Sequence, residues 1–171
     1  MKENQLSEQF EFRTIKQEEA DEAADIEHIC FPPQEACTLE RMKKRIGVAA
    51  DLFLVAIDRK NGKMAGFVNG IATDESKLRD EFFMDERWHD PKGKHVMILG
   101  VDVLPEYRGR GLARELVSRY CAREWARNRE KLILTCLSDK VAMYEKFGFR
   151  DLGESTSQWG GEQWHEMVRG E

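Results

Sequence analysis

The hexapeptide Arg108-Gly109-Arg110-Gly111-Leu112-Ala113 joins two segments of different hydrophobic periodicity. The apolar run 97–104 before it predicts a buried strand, and the amphipathic run 112–128 after it predicts a helix. A strand, a glycine-containing turn and a helix start make an anion site in this order, because backbone N–H groups converge there and the helix dipole adds positive charge. The glycines allow close approach of a phosphate, while Arg108 and Arg110 add planar charged donors. The turn is therefore predicted to bind a pyrophosphate.

The glycine spacing separates this turn from other phosphate-binding motifs. The sequence has no Gly-x-x-x-x-Gly-Lys-Ser/Thr string, and Arg114 stands where a dinucleotide-binding motif needs its third glycine. The pattern present is Arg-x-x-Gly-x-Ala, which resembles the acetyl-CoA signature of the Gcn5-related N-acetyltransferase (GNAT) family. The resemblance implies that the strand binds pantetheine through its backbone and that the turn amides hold the pyrophosphate. It assigns to this cofactor site Val101, Asp102, Val103, Arg108, Gly109, Arg110, Gly111, Leu112 and Ala113.

A second motif follows after the β-prone run Lys131–Leu137. Ser138 or Asp139 is a candidate N-cap of the next helix, and Gly148 is a candidate C-terminal residue. The string Tyr-Glu-Lys-Phe-Gly-Phe at 144–149 is similar to the other half of the GNAT signature, at the expected distance of one helix and one strand. On these two motifs the chain is identified as a member of that family. The second motif adds Tyr144 and Lys146 to the predicted cofactor site.

The remaining pattern predicts a single α/β domain over 1–171, with a core over 10–169. We expect a mixed, mostly antiparallel, twisted sheet of about seven strands with helices on both faces. The family resemblance also implies that the central strand and the strand after it splay apart, so that the pantetheine arm fits between them. The other predicted elements are a strand at 10–15, helices at 18–30 and 38–46 with Thr38 opening the second, a hairpin of 52–57 with 63–72 around Asn61-Gly62, a polar insertion at 74–94, and a final hairpin of 149–157 with 163–169. Gly100 within the central strand indicates a bulge or a close backbone approach.

Composition excludes several classes of function. The net charge is −5 with 35% charged residues, which argues against a polyanion-binding surface, so no nucleic-acid partner is expected. No apolar stretch reaches the roughly 20 residues that span a bilayer, and the N-terminus lacks a signal-peptide pattern. The four cysteines have no metal-binding spacing, so we expect no metal site and a reducing cytoplasmic location. We also expect a monomer or homodimer.

Acetyl transfer to an amine needs an acid for the departing thiolate and a base for the amine. The resemblance makes Tyr144 the candidate acid, since its phenol keeps its proton at neutral pH; the alternative is a tyrosine that only packs the last helix. The base is not evident, because family members commonly carry Glu or His where this chain has Met97 and Leu99. Asp102 falls on the opposite strand face, and His89, Asp90 and His95 are candidates near the insertion.

The segment Cys30–Leu39 resembles the acceptor loop of arylalkylamine N-acetyltransferases. Those enzymes carry paired histidines at the positions of Met97 and Leu99, a clear departure in this chain. Glu35 is predicted to pair with an acceptor ammonium, and Phe31, Phe82 and Trp88 to pack its apolar part. Pro32-Pro33 forms a turn within this segment, and the alternative for that turn is a rigid surface connection without a binding role. The predicted acceptor residues are Phe31, Glu35, Met97 and Leu99.

The sequence thus predicts an acetyl-CoA-dependent N-acetyltransferase that acts on a small-molecule primary amine. Two alternatives stay open at this point. The first is a CoA-binding sensor or partner module without turnover, which the missing base would explain. The second is a peptide or protein N-terminal acetyltransferase, provided that the insertion 74–94 leaves a groove open for a peptide.

Overall fold

Seven strands form one sheet in the order β1-β2-β3-β4-β5-β7-β6 in a computed structural model that describes residues 3–171. The strands are β1 (Phe10–Thr14), β2 (Phe53–Asp58), β3 (Met64–Thr73), β4 (His95–Val103), β5 (Lys131–Cys136), β6 (Arg150–Glu154) and β7 (His165–Gly170). The helices are α1 (Glu3–Gln9), α2 (Ala20–Cys30), α3 (Leu39–Ala49), α4 (Glu81–Met84), α5 (Leu112–Ala126) and α6 (Val141–Lys146). Among the described residues, no helix has the length and hydrophobicity needed to cross a bilayer.

The sheet is antiparallel except where its two halves meet. β4 and β5 run parallel and pair over only three residues each, from His95 opposite Lys131 to Met97 opposite Ile133. β4 continues to Val103 and β5 to Cys136 with no further pairing between the two strands. They therefore separate from each other towards their C-terminal ends. This separation confirms the predicted splay and opens the sheet next to the hexapeptide turn.

Helices cover both faces of the sheet, as predicted. Asn69 on β3 accepts a hydrogen bond from Arg45 of α3, whereas the hydroxyl of Tyr120 on α5 lies against the next residue, Gly70. Because successive strand residues point to opposite faces, α3 and α5 lie on opposite sides of the sheet. Tyr120 is fully buried and donates to the carbonyl of Leu52, which fixes α5 on its face.

A β-bulge distorts the centre of β4, at the place where its glycine predicted one. Ile98 pairs with Gly70 and Gly100 with Asn69, so that Leu99 is the extra residue on β4. A side chain at Gly100 would lie 3.1 Å from both Asn69 Nδ2 and Asp102 Oδ1. Glycine is therefore required here by close packing, and the bulge turns Leu99 towards the opening between β4 and β5.

Several element boundaries differ from the sequence prediction. The short helix α1 was not predicted, and α3 runs three residues beyond the expected Ile46. Thr38 caps α3 as predicted, its hydroxyl accepting from Arg41 N at 3.2 Å. Neither Ser138 nor Asp139 caps α6, because both belong to a 3-10 turn that precedes its first residue.

Candidate active site

A single cleft occupies the opening between β4 and β5. Its volume is about 790 Å³, and it extends from the hexapeptide turn to the loop between α2 and α3. The turn end and its walls comprise Leu99, Gly100, Val101, Val103, Arg108, Gly109, Gly111, Leu112, Ala113, Arg114, Thr135, Cys136, Lys140, Met143, Tyr144 and Phe147. The other end, called here the acceptor end, comprises Glu27, Cys30, Phe31, Pro32, Glu35, Phe83, Trp159 and Trp164.

The hexapeptide forms an open cradle of backbone donors. Gly109 and Gly111 both have positive φ, at 78° and 82°, and a Cβ on either would have no atom within 4 Å. In the described part of the chain, the backbone N–H groups from Gly109 to Arg114 have no protein acceptor. They include the first unpaired donors of α5, so the cradle combines free amides with the positive end of a helix dipole. These features fit the diphosphate of CoA.

The arginines of the cradle differ from the sequence prediction. Arg108 lines the cleft and donates from Nε to the Val103 carbonyl at 2.9 Å, which ties the turn to the end of β4. Arg110 is absent from the lining, because its guanidinium donates to the Glu106 carbonyl and lies over the Tyr107 ring. Arg114, one helical turn later, lines the cleft instead. The positive charge at the cradle therefore comes from positions 108 and 114.

The predicted strand residues divide according to the face on which they lie. Val101, Val103 and Leu99 line the cleft. Asp102 is fully buried on the other face, and Met97 is fully buried where β4 still pairs with β5. Met97 is thus not placed to contact an acceptor, contrary to expectation, and Asp102 can contact a cofactor only through its backbone. Lys146 also differs, since it is exposed on α6 outside the cleft.

Tyr144 lies in the wall of the cleft on α6. Its side chain is buried, and its ring makes edge-on contacts with Phe147 and Phe149, whose ring centroids lie 5.6 Å and 5.9 Å from its own. Burial raises the pKa of its phenol above the usual value, and the nearby Cys136 and Asp102 add to the increase. No described residue hydrogen-bonds to its hydroxyl. Tyr144 therefore presents a protonated, unengaged hydroxyl to the cleft.

Three distant segments meet at the acceptor end. The indole of Trp159 donates to the Glu35 carbonyl at 3.0 Å and stacks on Phe83 at 4.9 Å between ring centroids. The indole of Trp164 donates in turn to the Trp159 carbonyl at 2.8 Å. The carboxyl of Glu35 is partly desolvated, which raises its pKa, as do the charges of Glu162 and Glu27. The acceptor end is thus both aromatic and acidic.

The aromatic residues predicted from the insertion are not those that line the cleft. Phe82 is buried in the core, and Trp88 is exposed with its ring against Arg79. Phe83 lines the cleft in their place. Because α4 is only four residues long, the sequence carries no periodicity from which the inward-facing position could be identified.

The candidate histidine bases lie outside the cleft. His89 Nδ1 accepts from Ala72 N at 3.0 Å, and burial lowers its pKa. His95 is buried at the start of β4, and burial lowers its pKa as well. His28 and His165 bond to Ala24 and Asp151, so none of the four histidines, all within the described residues, reaches the cleft.

Sequence reasoning did not identify Glu27, a buried carboxyl that lines the acceptor end. Its position could have been inferred, because Glu27 follows Ala23 and Ala24 by four and three residues and so shares their buried face of α2. Thr135 on β5 was also missed. It occupies a wall position that alternation along a short apolar strand does not distinguish from core.

Comparison with solved structures identifies the fold. The loading GNATL domain of CurA from Lyngbya majuscula is 14% identical with a TM-score of 0.80, covering 94% of this chain and 97% of that one. The GphF GNAT-like decarboxylase, solved with isobutyryl-CoA, is 15% identical with a TM-score of 0.77, covering 94% and 98%. A phosphinothricin acetyltransferase from Sinorhizobium meliloti, solved with AcCoA, is 17% identical with a TM-score of 0.68, covering 95% and 88%.

No curated protein matches the chain. The model of the acetyltransferase (GNAT) family, by contrast, matches residues 17–149, from the turn before α2 to the residue before β6. That range contains the cradle, the splayed strands and Tyr144. Sequence motif, strand topology and cleft agree, and the chain belongs to the GNAT acetyltransferase family.

Proposed function

We propose that this protein transfers the acetyl group of acetyl-CoA to the primary amine of a small molecule, by direct attack in a ternary complex with Tyr144 as general acid. The observation that carries the proposal is the shape of the cleft. One end is a cradle of unpaired backbone amides, the other end is aromatic and acidic, and Tyr144 lies in the cleft wall on α6, the helix between β5 and β6.

Acetyl-CoA is the acyl donor, as the family and its AcCoA-bound members indicate. The amides from Gly109 to Arg114 would hold its diphosphate, with Arg108 and Arg114 adding charge. Beyond Met97, the edge of β4 that faces β5 has no strand partner. The pantetheine arm would bind to the backbone along this edge. When bound, acetyl-CoA supplies a thioester, whose C–S bond breaks as the C–N bond to the amine forms.

Tyr144 would hold and deliver the proton that the leaving sulfur needs. Its raised pKa keeps the phenol protonated at neutral pH. The hydroxyl is free of protein partners, so it is available to the thiolate. The surplus proton of the newly acylated nitrogen then restores the phenol, and the residue ends the cycle as it began.

The acceptor end favours a small amine over a peptide. Trp159 contacts both Phe83 and the Glu35 loop at this end of the cleft, which supports a compact acceptor over an extended peptide. Glu27 and Glu35 place two carboxyl groups at this end, and the Arg108 guanidinium reaches it at Cys30 Sγ, 3.7 Å away. A cation with an apolar or aromatic body matches these surroundings. The arylalkylamine-like interpretation of the 30–39 loop belongs to this proposal.

Thiol release from acetyl-CoA tests the proposal against the alternative of a non-catalytic CoA sensor. Wild type is assayed with a panel of alkylamines, arylalkylamines, polyamines and peptides with free N-termini. We expect release with at least one small amine and a fall of about 100-fold in kcat for Tyr144→Phe, the size typical of a lost general acid.

Tyr120→Phe is the matched control, because it removes a buried hydroxyl outside the cleft and keeps the ring. It should retain wild-type kcat. Acetyl-CoA binding without thiol release across the panel would favour the sensor. Release with peptides alone would favour the N-terminal acetyltransferase.

A further inference from the structure

Two buried carboxyl groups face each other behind the bulge of β4. Glu27 on α2 is 5% exposed and Asp102 on β4 is 0% exposed. Around an ideal Cβ on Gly100, Asp102 Oδ1 lies at 3.1 Å and Glu27 Oε1 at 3.6 Å. Both carboxyls therefore converge on the same small space, and Glu27 also lines the cleft.

The pair has few hydrogen bonds for its burial. Glu27 Oε2 accepts from the backbone N–H of Cys37 at 2.9 Å. Glu27 Oε1 and both oxygens of Asp102 have no partner within residues 3–171 when both groups are treated as acceptors. A buried carboxylate without donors is costly, and two of them together more so. A proton held by Asp102 removes the conflict, because it can be donated to Glu27 Oε1.

Within residues 3–171, neither carboxyl of the pair is joined to an arginine or lysine. Arg45 is buried on α3 but directs its guanidinium to Asn69 Oδ1 at 3.0 Å and to the Phe83 carbonyl at 3.2 Å. The titratable groups that bear on the pair are acids, thiols and a phenol, namely Cys30, Cys37, Glu35 and Tyr144. Burial and the charge of Glu27 raise the pKa of Asp102 well above its usual value. Asp102 is therefore the member of the pair that holds the proton.

We propose that the Glu27 carboxylate is the general base for the acceptor amine and that protonated Asp102 is its positioning residue. The inference rests on the proposed function and supplies the base that Met97 and Leu99 cannot. The bound ammonium gives a proton to Glu27: an N–H bond breaks, an O–H bond forms, and the nitrogen keeps the electron pair with which it attacks. The proton leaves Glu27 through the cleft after the product has gone.

Kinetics with the amine that wild type accepts give the first test. Glu27→Gln keeps the size of the side chain and an oxygen for Cys37 N–H, so we expect folding and acetyl-CoA affinity to be retained. We expect kcat/KM at pH 7 to fall about 100-fold or more, and the loss to shrink as pH rises and supplies free amine. Asp25→Asn, an exposed carboxyl on the same helix, should keep the wild-type profile.

Infrared spectroscopy of the cofactor-free protein gives a second test, independent of turnover. The difference spectrum of wild type minus Asp102→Asn at pH 7 should contain the carbonyl band of a protonated, buried carboxyl. In kinetics at pH 7, Asp102→Asn should retain more kcat/KM than Asp102→Ala, because the amide donates to Glu27 as the protonated acid does. Asp102→Ala removes that donor, and the acidic limb of its pH profile should shift.

The outcomes separate the two proposals. A wild type that transfers acetyl groups while Glu27→Gln has an unchanged pH profile overturns the base assignment alone. If the carbonyl band is missing, Asp102 does not hold a proton next to Glu27. The assignment of Glu27 as base then fails as well. A wild type inactive with every amine overturns the proposed function, and this inference falls with it. Rescue of Glu27→Ala by added formate would support a proton-transfer role, since a purely structural loss would not respond.

Discussion

At the scale of single residues, burial acts in the same direction on the proposed acid and on the residue that positions the proposed base. Tyr144 and Asp102 are both desolvated, and burial keeps both of them neutral by raising their pKa. For a phenol this preserves an acid, whereas for a carboxyl it creates a donor where a charge would be expected. Glu27 and Glu35 are the carboxyl groups that line the aromatic acceptor end of the described cleft.

The buried proton of Asp102 has a cost in stability that depends on pH. The folded-state pKa lies above the unfolded value, so the folded chain binds the proton more tightly. Stability is therefore lost as pH rises from the unfolded pKa, near 4, towards the raised folded value. Asp102→Asn removes this dependence, and the free energy of unfolding should rise relative to wild type by more at pH 8 than at pH 5.

Urea denaturation at these two pH values measures the effect. The difference should exceed about 1 kcal/mol, since each pKa unit corresponds to about 1.4 kcal/mol. Asp25→Asn is the control and should change stability equally at both values, because Asp25 is exposed. An equal change for Asp102→Asn at pH 5 and pH 8 would mean that Asp102 is ionised in the folded protein.

At the scale of elements, a comparison of two glycines shows whether Gly111 is required for the backbone conformation of the turn or for binding of the ligand. Gly111 and Gly153 both have positive φ, at 82° and 92°, and open space around an added Cβ. Alanine at either site should therefore cost a similar strain, about 1–2 kcal/mol. Only the methyl group at 111 enters the cradle, so Gly111→Ala alone should weaken acetyl-CoA binding, by about tenfold or more.

Isothermal titration calorimetry of the two variants with acetyl-CoA decides between these roles. Gly153 lies in β6, outside the cleft, and its variant should bind as wild type does. Equal affinities for both variants would show that Gly111 is required for the turn rather than for the diphosphate.

Elements with a strong local signal were predictable from the sequence. The Arg108–Ala113 turn, the hairpin at Gly62 and the bulge at Gly100 each depend on glycine chemistry and were found where expected. The acceptor end was only partly predictable, because Phe83, Trp159 and Glu35 meet through long-range packing. Glu27 was overlooked because a carboxyl among alanines looks like the solvent face of a helix, although its phase places it inside.

At the scale of the whole molecule, the fold does not by itself select the reaction. Structures with TM-scores of 0.68 to 0.80 to this chain include an acetyltransferase and a GNAT-like decarboxylase, at 14–17% identity. What they share with this chain is the fold. In this chain the acceptor end is assembled from the α2–α3 loop, the 74–94 insertion and the turn before β7, three segments far apart in sequence. Substrate choice should therefore depend on contacts between these segments.

Trp159→Ala removes the residue that joins the three segments. The stacked ring pair with Phe83 and the hydrogen bond to the Glu35 carbonyl are lost together. An aromatic pair and a hydrogen bond each contribute about 1 kcal/mol, so the KM for the acceptor amine should rise about tenfold or more. Acetyl-CoA affinity should stay within about twofold, because the cradle lies at the opposite end of the cleft.

Trp88→Ala is the matched control for this variant, since Trp88 belongs to the same insertion but stacks on Arg79 outside the cleft. Its KM should equal that of wild type. Steady-state thiol release over a range of amine concentrations measures both variants. A rise in KM for Trp88→Ala with none for Trp159→Ala would place the acceptor on the outer surface of the insertion, and the aromatic, acidic end of the cleft would then have no part in amine binding.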